Sequence, residues 1–243
     1  MQSNSKTTRA VNKYLLISGG TKGLGRAISI RYNQEGYHVT ALYKTDQISA
    51  KSIECEHINC VKHDITLSQF IHSKIKSDDE LVIIHNAAEN FTPKPFHLIG
   101  IEEYKKQWEA AVVGAHNLIY PSLKMMVGIR KATVIATLTS AIIEELPPKG
   151  FSPYASAKNA LKSLIQSLAN EYSDRGLRFI CVSPGFMDTE FTRSWDSRLK
   201  QAILEGTTTL STELLADEIY KLSHSLDIPA IGENYKIPRH INE

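Results

Sequence analysis

The chain has 243 residues, 42% of them hydrophobic and 22% charged, an ordinary globular composition with room for one large α/β domain. A formal net charge of +2, with no basic run interleaved with aromatics, gives no case for nucleic-acid binding. No apolar run approaches the ~20 residues of a membrane span, and three cysteines (Cys55, Cys60, Cys181) make an odd, sparse set that argues for reduced thiols and a cytoplasmic setting.

Residues 1–12 carry basic side chains but no apolar segment, so they are expected to be a flexible tail rather than a secretory signal, with one domain over 13–243. YLLIS (14–18) is a buried-strand run, followed by a glycine-rich turn and a helical segment to about residue 35. HVTALY (38–43) and HINCVK (57–62) are the next strand candidates. Cys55, His57, Cys60 and His63 cluster here, but their spacing fits no zinc pattern and alternation along a strand points them to different faces, so no metal is expected. LVIIH (81–85), ATVIATL (132–138) and RFICVS (178–183) are near-continuous apolar runs, the mark of strands covered on both faces. Between them, 102–127 places Trp108, Val112, Ala115 and Ile119 at helical spacing. The segment 154–173 does the same with Leu161, Leu164, Ile165, Leu168 and Tyr172, and Gly176 stops it. Strand–helix alternation implies right-handed βαβ units and a doubly wound, Rossmann-like parallel sheet with helices on both faces.

SGGTKGLG (18–25) joins the first strand to the first helix. Gly19, Gly23 and Gly25 permit a tight turn and close approach of a ligand, and the helix start offers free N–H groups to a pyrophosphate. This is the expected position of a dinucleotide site. The second strand ends in Leu42-Tyr43-Lys44, with no carboxylate before Asp46. A cation at Lys44, with Lys22 in the glycine loop, suits a 2′-phosphate, so NADP(H) is favoured over NAD(H).

Tyr154 and Lys158 stand four apart at the head of a helix, on one face. Two explanations are open at this point. The ammonium favours phenolate and sharpens an otherwise weak acid, or the pair is a chance of helix-surface composition.

Five stretches, taken together and in order, resemble the short-chain dehydrogenase/reductase family over about 13–237. They are the glycine turn; Asp64 in HDI; HNAA (85–88), where the family usually has Asn-Asn-Ala-Gly; Tyr154-Ala-Ser-Ala-Lys158; and SPGFMDT (183–189). The resemblance implies a nicotinamide dinucleotide held by Gly19, Thr21, Lys22, Gly23, Leu24, Gly25, Tyr43 and Lys44, and by Asp64 and Ile65 at the adenine. Asn86, Ala87, Ala88, Tyr154, Lys158, Pro184, Gly185, Met187 and Thr189 complete that set. It also implies that Tyr154 moves a proton to or from the substrate oxygen, with Lys158 lowering its pKa by about 1–3 units. Ser140 would hydrogen-bond that oxygen, with Thr139 the alternative if the register slips by one. Substrate would meet Ser140, Leu146, Phe186, Phe191 and Trp195, with Phe91 and Phe96 as further candidates.

The chain departs from the family pattern at Ala111, where an Asn linked to a proton relay is usual; Asn117 projects from another face and does not replace it. Ala88 replaces a Gly, and the helix after the second strand is expected to be stunted. The activity implied is reduction of a small carbonyl compound to an alcohol, or the reverse, in a homodimer or homotetramer. A 3-oxoacyl carrier-protein reductase is one alternative, with Arg130, Lys131 and Arg175 as a possible basic edge. A cofactor-binding sensor without turnover is another.

Overall fold

The structure, a computed structural model, describes residues 11–71, 75–143, 146–205, 209–225 and 231–237; residues 1–10 of the tail expected at 1–12 lie outside them. Strand β1 (Lys13–Ser18) leads through the glycine turn to α1 (Gly23–Gln34), then β2 (His38–Tyr43), α2 (Gln47–Lys51), β3 (Ile58–Lys62) and β4 (Glu80–His85). Helices α3 (Ile101–Trp108) and α4 (Gly114–Met126) follow, then β5 (Lys131–Thr137), α5 (Ser152–Tyr172), β6 (Leu177–Pro184), α6 (Ser197–Leu204), α7 (Thr212–His224) and β7 (Ile231–Ile237). The seven strands form one sheet in the order β3-β2-β1-β4-β5-β6-β7, every pair parallel. After β3 the chain returns past β1 to build outward on the other side, so the direction of winding reverses between β1 and β4. The loops that leave the carboxyl ends of those paired strands therefore turn to opposite faces of the sheet and leave a crevice between them.

Alternation along each strand sorts the core into two layers. Leu15 and Ile17 of β1 face α1 and α7, against Ile28, Tyr32, Leu215 and Ile219. Leu16 faces the other way, against Leu118 of α4 and Leu161 and Ile165 of α5. Each of these side chains is fully buried and contributes about 1.5–3 kcal/mol relative to exposure. Helix α2 is only five residues long, as the short 44–64 segment required.

The single helix read at 102–127 is instead α3 and α4 joined by a π turn over Glu109–Val113. An i→i+5 turn holds an extra residue, so residues before it rotate relative to those after it. Ala115 and Ile119 stay in the core, whereas Trp108 turns out to 49% exposure.

At the amino ends of the strands, Glu80 gathers three partners. Tyr37 donates to it at 2.6 Å, Lys131 at 2.9 Å, and His224 Nε2 lies 3.4 Å away. Burial alone would raise its pKa, but the bonds from His224, Tyr37 and Lys131 outweigh that and bring it from 4.5 to about 2. A depressed carboxylate stabilises the fold above its unfolded pKa and loses that contribution as pH falls through its folded one. Glu80→Gln is expected to cost about 3 kcal/mol at neutral pH. Urea denaturation of both proteins at pH 7 and at steps below 4.5 should show the gap narrowing as pH drops; a constant gap would contradict this.

Candidate active site

The crevice at the carboxyl ends of the strands opens into a cleft of about 680 Å³, and nearly every site residue expected from the sequence lines it. Ser18, the last residue of β1, stitches the cleft floor together: its Oγ accepts from the backbone N–H of Asn86 and of Ala87, each at 3.2 Å. Gly19 and Gly23 have positive φ (62 and 48), which bends the chain sharply into α1. Gly25 does not line the cleft. It sits under the turn, where a Cβ would collide with the Gly19 carbonyl oxygen and lie 2.7 Å from Asn86 Nδ2. Lys22 occupies the N-cap of α1 without a side-chain cap, so the first-turn N–H groups remain available to an anion. A backbone cradle with no room for side chains, ahead of an uncapped helix start, fits the pyrophosphate of a dinucleotide.

At one end of the cleft, Lys22 bridges Asp46 (2.5 Å) and Glu190 (3.0 Å), joining the glycine turn to the loops after β2 and β6. Lys44 pairs with Asp64 (3.2 Å) and Glu89 (3.8 Å). Asp46 also caps α2 at Ser49 N, 3.0 Å, and the Lys22 ammonium with those Ser49 bonds holds its carboxyl well below the ordinary range. Burial opposes ionisation of Asp64, yet Thr66 and Lys44 win and lower its pKa. The two lysines foreseen as phosphate ligands therefore stand among four carboxylates, a balance the sequence did not disclose because Glu89 and Glu190 arrive from distant loops.

At the other end lies the Tyr154–Lys158 pair. Pro153 in the first turn of α5 presets its start, and Tyr154 and Lys158 both face inward, 8% and 2% exposed. Lys158 Nζ donates to the Thr137 carbonyl at 2.7 Å and sits 5.7 Å from the centre of the Tyr154 ring. Among the described residues no carboxylate pairs with it. Burial lowers its pKa to about 8. Burial raises the Tyr154 phenol to about 12, partly offset by a hydrogen bond with Thr139. The acidified phenol expected from the pairing is thus not what this geometry produces, because the ammonium is aimed at a backbone carbonyl while desolvation acts on the phenol.

Thr139 is the hydroxyl that meets Tyr154, and Ser140, which begins a 3₁₀ turn (Ser140–Ile142), lines the cleft beside it. The aromatic surroundings are denser than the sequence indicated. Phe91 stacks on Tyr154 with centroids 4.8 Å apart, and Phe151, Phe191 and Trp195 close the cluster. Trp195 Nε1 donates to the Phe91 carbonyl at 2.9 Å. Phe186 lies at its edge, 6.2 Å from Trp195. Two candidates are not brought in: Leu146 is 80% exposed and Phe96 74%, both outside the cleft. Each belongs to a connecting loop whose direction no periodicity fixes. Asn117 donates to the Ile65 carbonyl at 2.7 Å and so anchors the loop after β3, while Ala111 is buried within the π turn. Phe151 went unread, belonging to no spacing that singles it out; His85 was seen only as the first residue of HNAA, with no role of its own.

Arg130, Lys131 and Arg175 lie at the amino ends of β5 and β6, the opposite edge of the sheet from the cleft, and Lys131 is paired with Glu80. They form no basic border to the site. Cys55, Cys60 and Cys181 are free, and among the described residues no group of three or more His, Cys, Asp or Glu could hold a metal ion. No described helix is long and apolar enough to cross a membrane.

A family model described as short chain dehydrogenase matches residues 13–200. The 3-oxoacyl-[acyl-carrier-protein] reductase FabG of Staphylococcus epidermidis is 25% identical over 206 residues, 80% of this chain and 83% of that protein. Among solved structures, a 3-ketoacyl-(acyl-carrier-protein) reductase from Brucella melitensis complexed with NADH superposes with a TM-score of 0.78 at 17% identity, over 94% of this chain and 98% of that one. ElxO with NADP bound gives 0.72 at 20% identity, over 93% and 97%. At such identities the structural likeness speaks to the fold alone.

Proposed function

The chain belongs to the short chain dehydrogenase family and is an oxidoreductase; on that premise we propose that Tyr154 and Lys158 are the reacting pair of an NADP(H)-dependent reductase that turns a compact apolar ketone into an alcohol, or runs the reverse. The observation that carries this reading is the Lys158 ammonium, buried with no carboxylate partner among the described residues, lining the same cleft as the glycine turn and next to a buried phenol. A nicotinamide dinucleotide, when bound, supplies the hydride.

The protein's own groups do the rest. Tyr154, with a pKa near about 12, is fully protonated at neutral pH and is therefore a proton donor rather than a base in the reductive direction. As negative charge develops on the substrate oxygen, the Tyr154 O–H delivers its proton there. The phenolate left behind lies near the Lys158 charge, 5.7 Å from the ring centre, and both groups are buried. Thr139, already bonded to Tyr154, and Ser140 beside it supply the hydroxyls that orient the substrate oxygen. Phe151, Phe191 and Trp195 exclude water and favour an apolar carbonyl compound over a polyol.

The thioester-reductase alternative keeps the support of its named relative, but the basic edge that would have received an acidic carrier lies on the wrong side of the molecule. A sensor without turnover has no need of a phenol over a buried ammonium. NADP(H) remains our preferred cofactor because Lys22 and Lys44 are the cations at the ribose end of the cleft, each able to exchange a carboxylate partner for a phosphate. Free cysteines, one of them buried, suit a reducing compartment such as the cytoplasm.

Two measurements test this. With a panel of ketones, Tyr154→Phe is expected to lower kcat by about 10²–10⁴-fold while NADPH binding, read by fluorescence, stays within about twofold. Unchanged turnover would remove Tyr154 from its role, and tight binding without turnover in the native protein would favour the sensor. Lys44→Ala should raise the KM for NADPH about tenfold and leave NADH unaffected, since it removes only a phosphate contact. A native preference for NADH, insensitive to that change, would instead assign the ribose to Asp46.

A further inference from the structure

Lys22 and Lys44, the cations of the dinucleotide cleft, are each already met by two carboxylates. Even with Arg193 counted, which lies 3.6 Å from Glu190, four carboxylates face three cations. A phosphate entering that field is opposed unless one carboxylate gives way.

The four are not equally free to do so. Asp46 is fixed by its own loop: it accepts from Ser49 N at 3.0 Å and Ser49 Oγ at 2.8 Å while capping α2. Asp64 is fixed in the same way, by Thr66 N at 2.9 Å and Thr66 Oγ1 at 2.7 Å. Moving either carboxylate would strand those donors. Glu89 lies 3.8 Å from Lys44, beyond hydrogen-bond range, so it holds that lysine loosely. Glu190 is the exception. Its Oε2 reaches Lys22 at 3.0 Å, yet among the described residues its only other side-chain partner is Arg193.

The backbone beneath Glu190 is held, so releasing Lys22 needs only a swing of the side chain. Thr189 N donates to Thr192 Oγ1 at 3.2 Å, and the buried Thr192 hydroxyl donates to the Met187 carbonyl at 3.3 Å. Thr189 also packs against the glycine turn, its Cβ 3.7 Å from where a Cβ on Gly23 would stand. Glu190 thus reaches from the loop after β6 to the N-cap residue of α1, beside the uncapped first-turn N–H groups. Arg193, next to Oε1 and 77% exposed, is placed to keep the carboxylate once Lys22 is taken.

We propose that Glu190 sets the strength of cofactor binding: its carboxylate competes with a dinucleotide phosphate for Lys22 and leaves Lys22 when that phosphate arrives, whereas Asp46 stays. The competing group is the 2′-phosphate of NADP(H) or the pyrophosphate that both dinucleotides share. The inference rests on the reading of the cleft as a nicotinamide dinucleotide site and requires nothing of Tyr154.

The test is Glu190→Gln in the full-length protein, which keeps the shape of the side chain and removes its charge. Titration with NADPH and with NADH, followed by cofactor fluorescence without substrate, is expected to show binding about fivefold tighter than native. A gain for NADPH alone assigns the 2′-phosphate, and a gain for both assigns the pyrophosphate. In a Lys22→Met background the gain should vanish, because the contested cation is gone. Damage to the fold would weaken binding, so tightening reports competition. Unchanged or weaker binding in Glu190→Gln overturns the proposal, as does a gain that persists with Lys22→Met. If the native protein binds neither dinucleotide, the cofactor reading falls and this proposal with it; binding that the substitution leaves unaltered removes this proposal alone.

Discussion

An ammonium buried without a counter-charge is costly, and among the described residues Lys158 has no carboxylate partner. It is 2% exposed, its hydrogen bond runs to a backbone carbonyl rather than a carboxylate, and burial depresses its pKa to about 8. A chain selected only for stability would place an apolar side chain there. The carboxylates pair elsewhere: Glu80 neutralises Lys131 at the amino ends of the strands, and Asp46, Asp64, Glu89 and Glu190 surround Lys22 and Lys44 at the other end of the cleft. Lys158, with no carboxylate partner among the described residues, lines the cleft, and on the proposed reading its charge faces the oxygen on which negative charge develops during carbonyl reduction.

The parallel sheet makes this placement possible. Consecutive winding in opposite directions from β1 leaves a crevice between the loops that follow β1 and β4, and the glycine turn forms its rim. Ser18 fastens the two strand ends through Asn86 and Ala87. Helix α5 crosses behind β5 and β6 and delivers Tyr154 and Lys158 into the same opening that the glycine turn borders. The aromatic cluster of Phe91, Phe151, Phe191 and Trp195 packs around Tyr154 at that end of the cleft, and burial there raises the phenol pKa.

What could be read without coordinates was whatever rests on short-range physics. Strand periodicity located the first six strands, the glycine spacing located the turn, and an i, i+4 spacing put Tyr154 and Lys158 on one face. Three things were hidden for a common reason: they depend on how distant segments meet. The π turn at Glu109–Val113 has no mark in the residue pattern, and it is what rotates Trp108 outward. The direction of the Lys158 ammonium, toward Thr137 rather than the phenol, follows from where β5 ends beneath α5. Leu146 and Phe96 were nominated by position in loops, and loops carry no period from which to derive a facing direction. Gly25 was read as a ligand contact and is a packing glycine, since the collision it avoids is with Gly19 and Asn86 rather than with a bound molecule.

The central claim is that a charged Lys158 drives proton delivery by a protonated Tyr154. The most direct test is the pH dependence of ketone reduction at saturating NADPH. Turnover is expected to be level on the acid side and to fall about tenfold per unit above a pKa near about 8, as the Lys158 charge is lost. A rate level up to pH 10, or one that rises through pH 8, would contradict it.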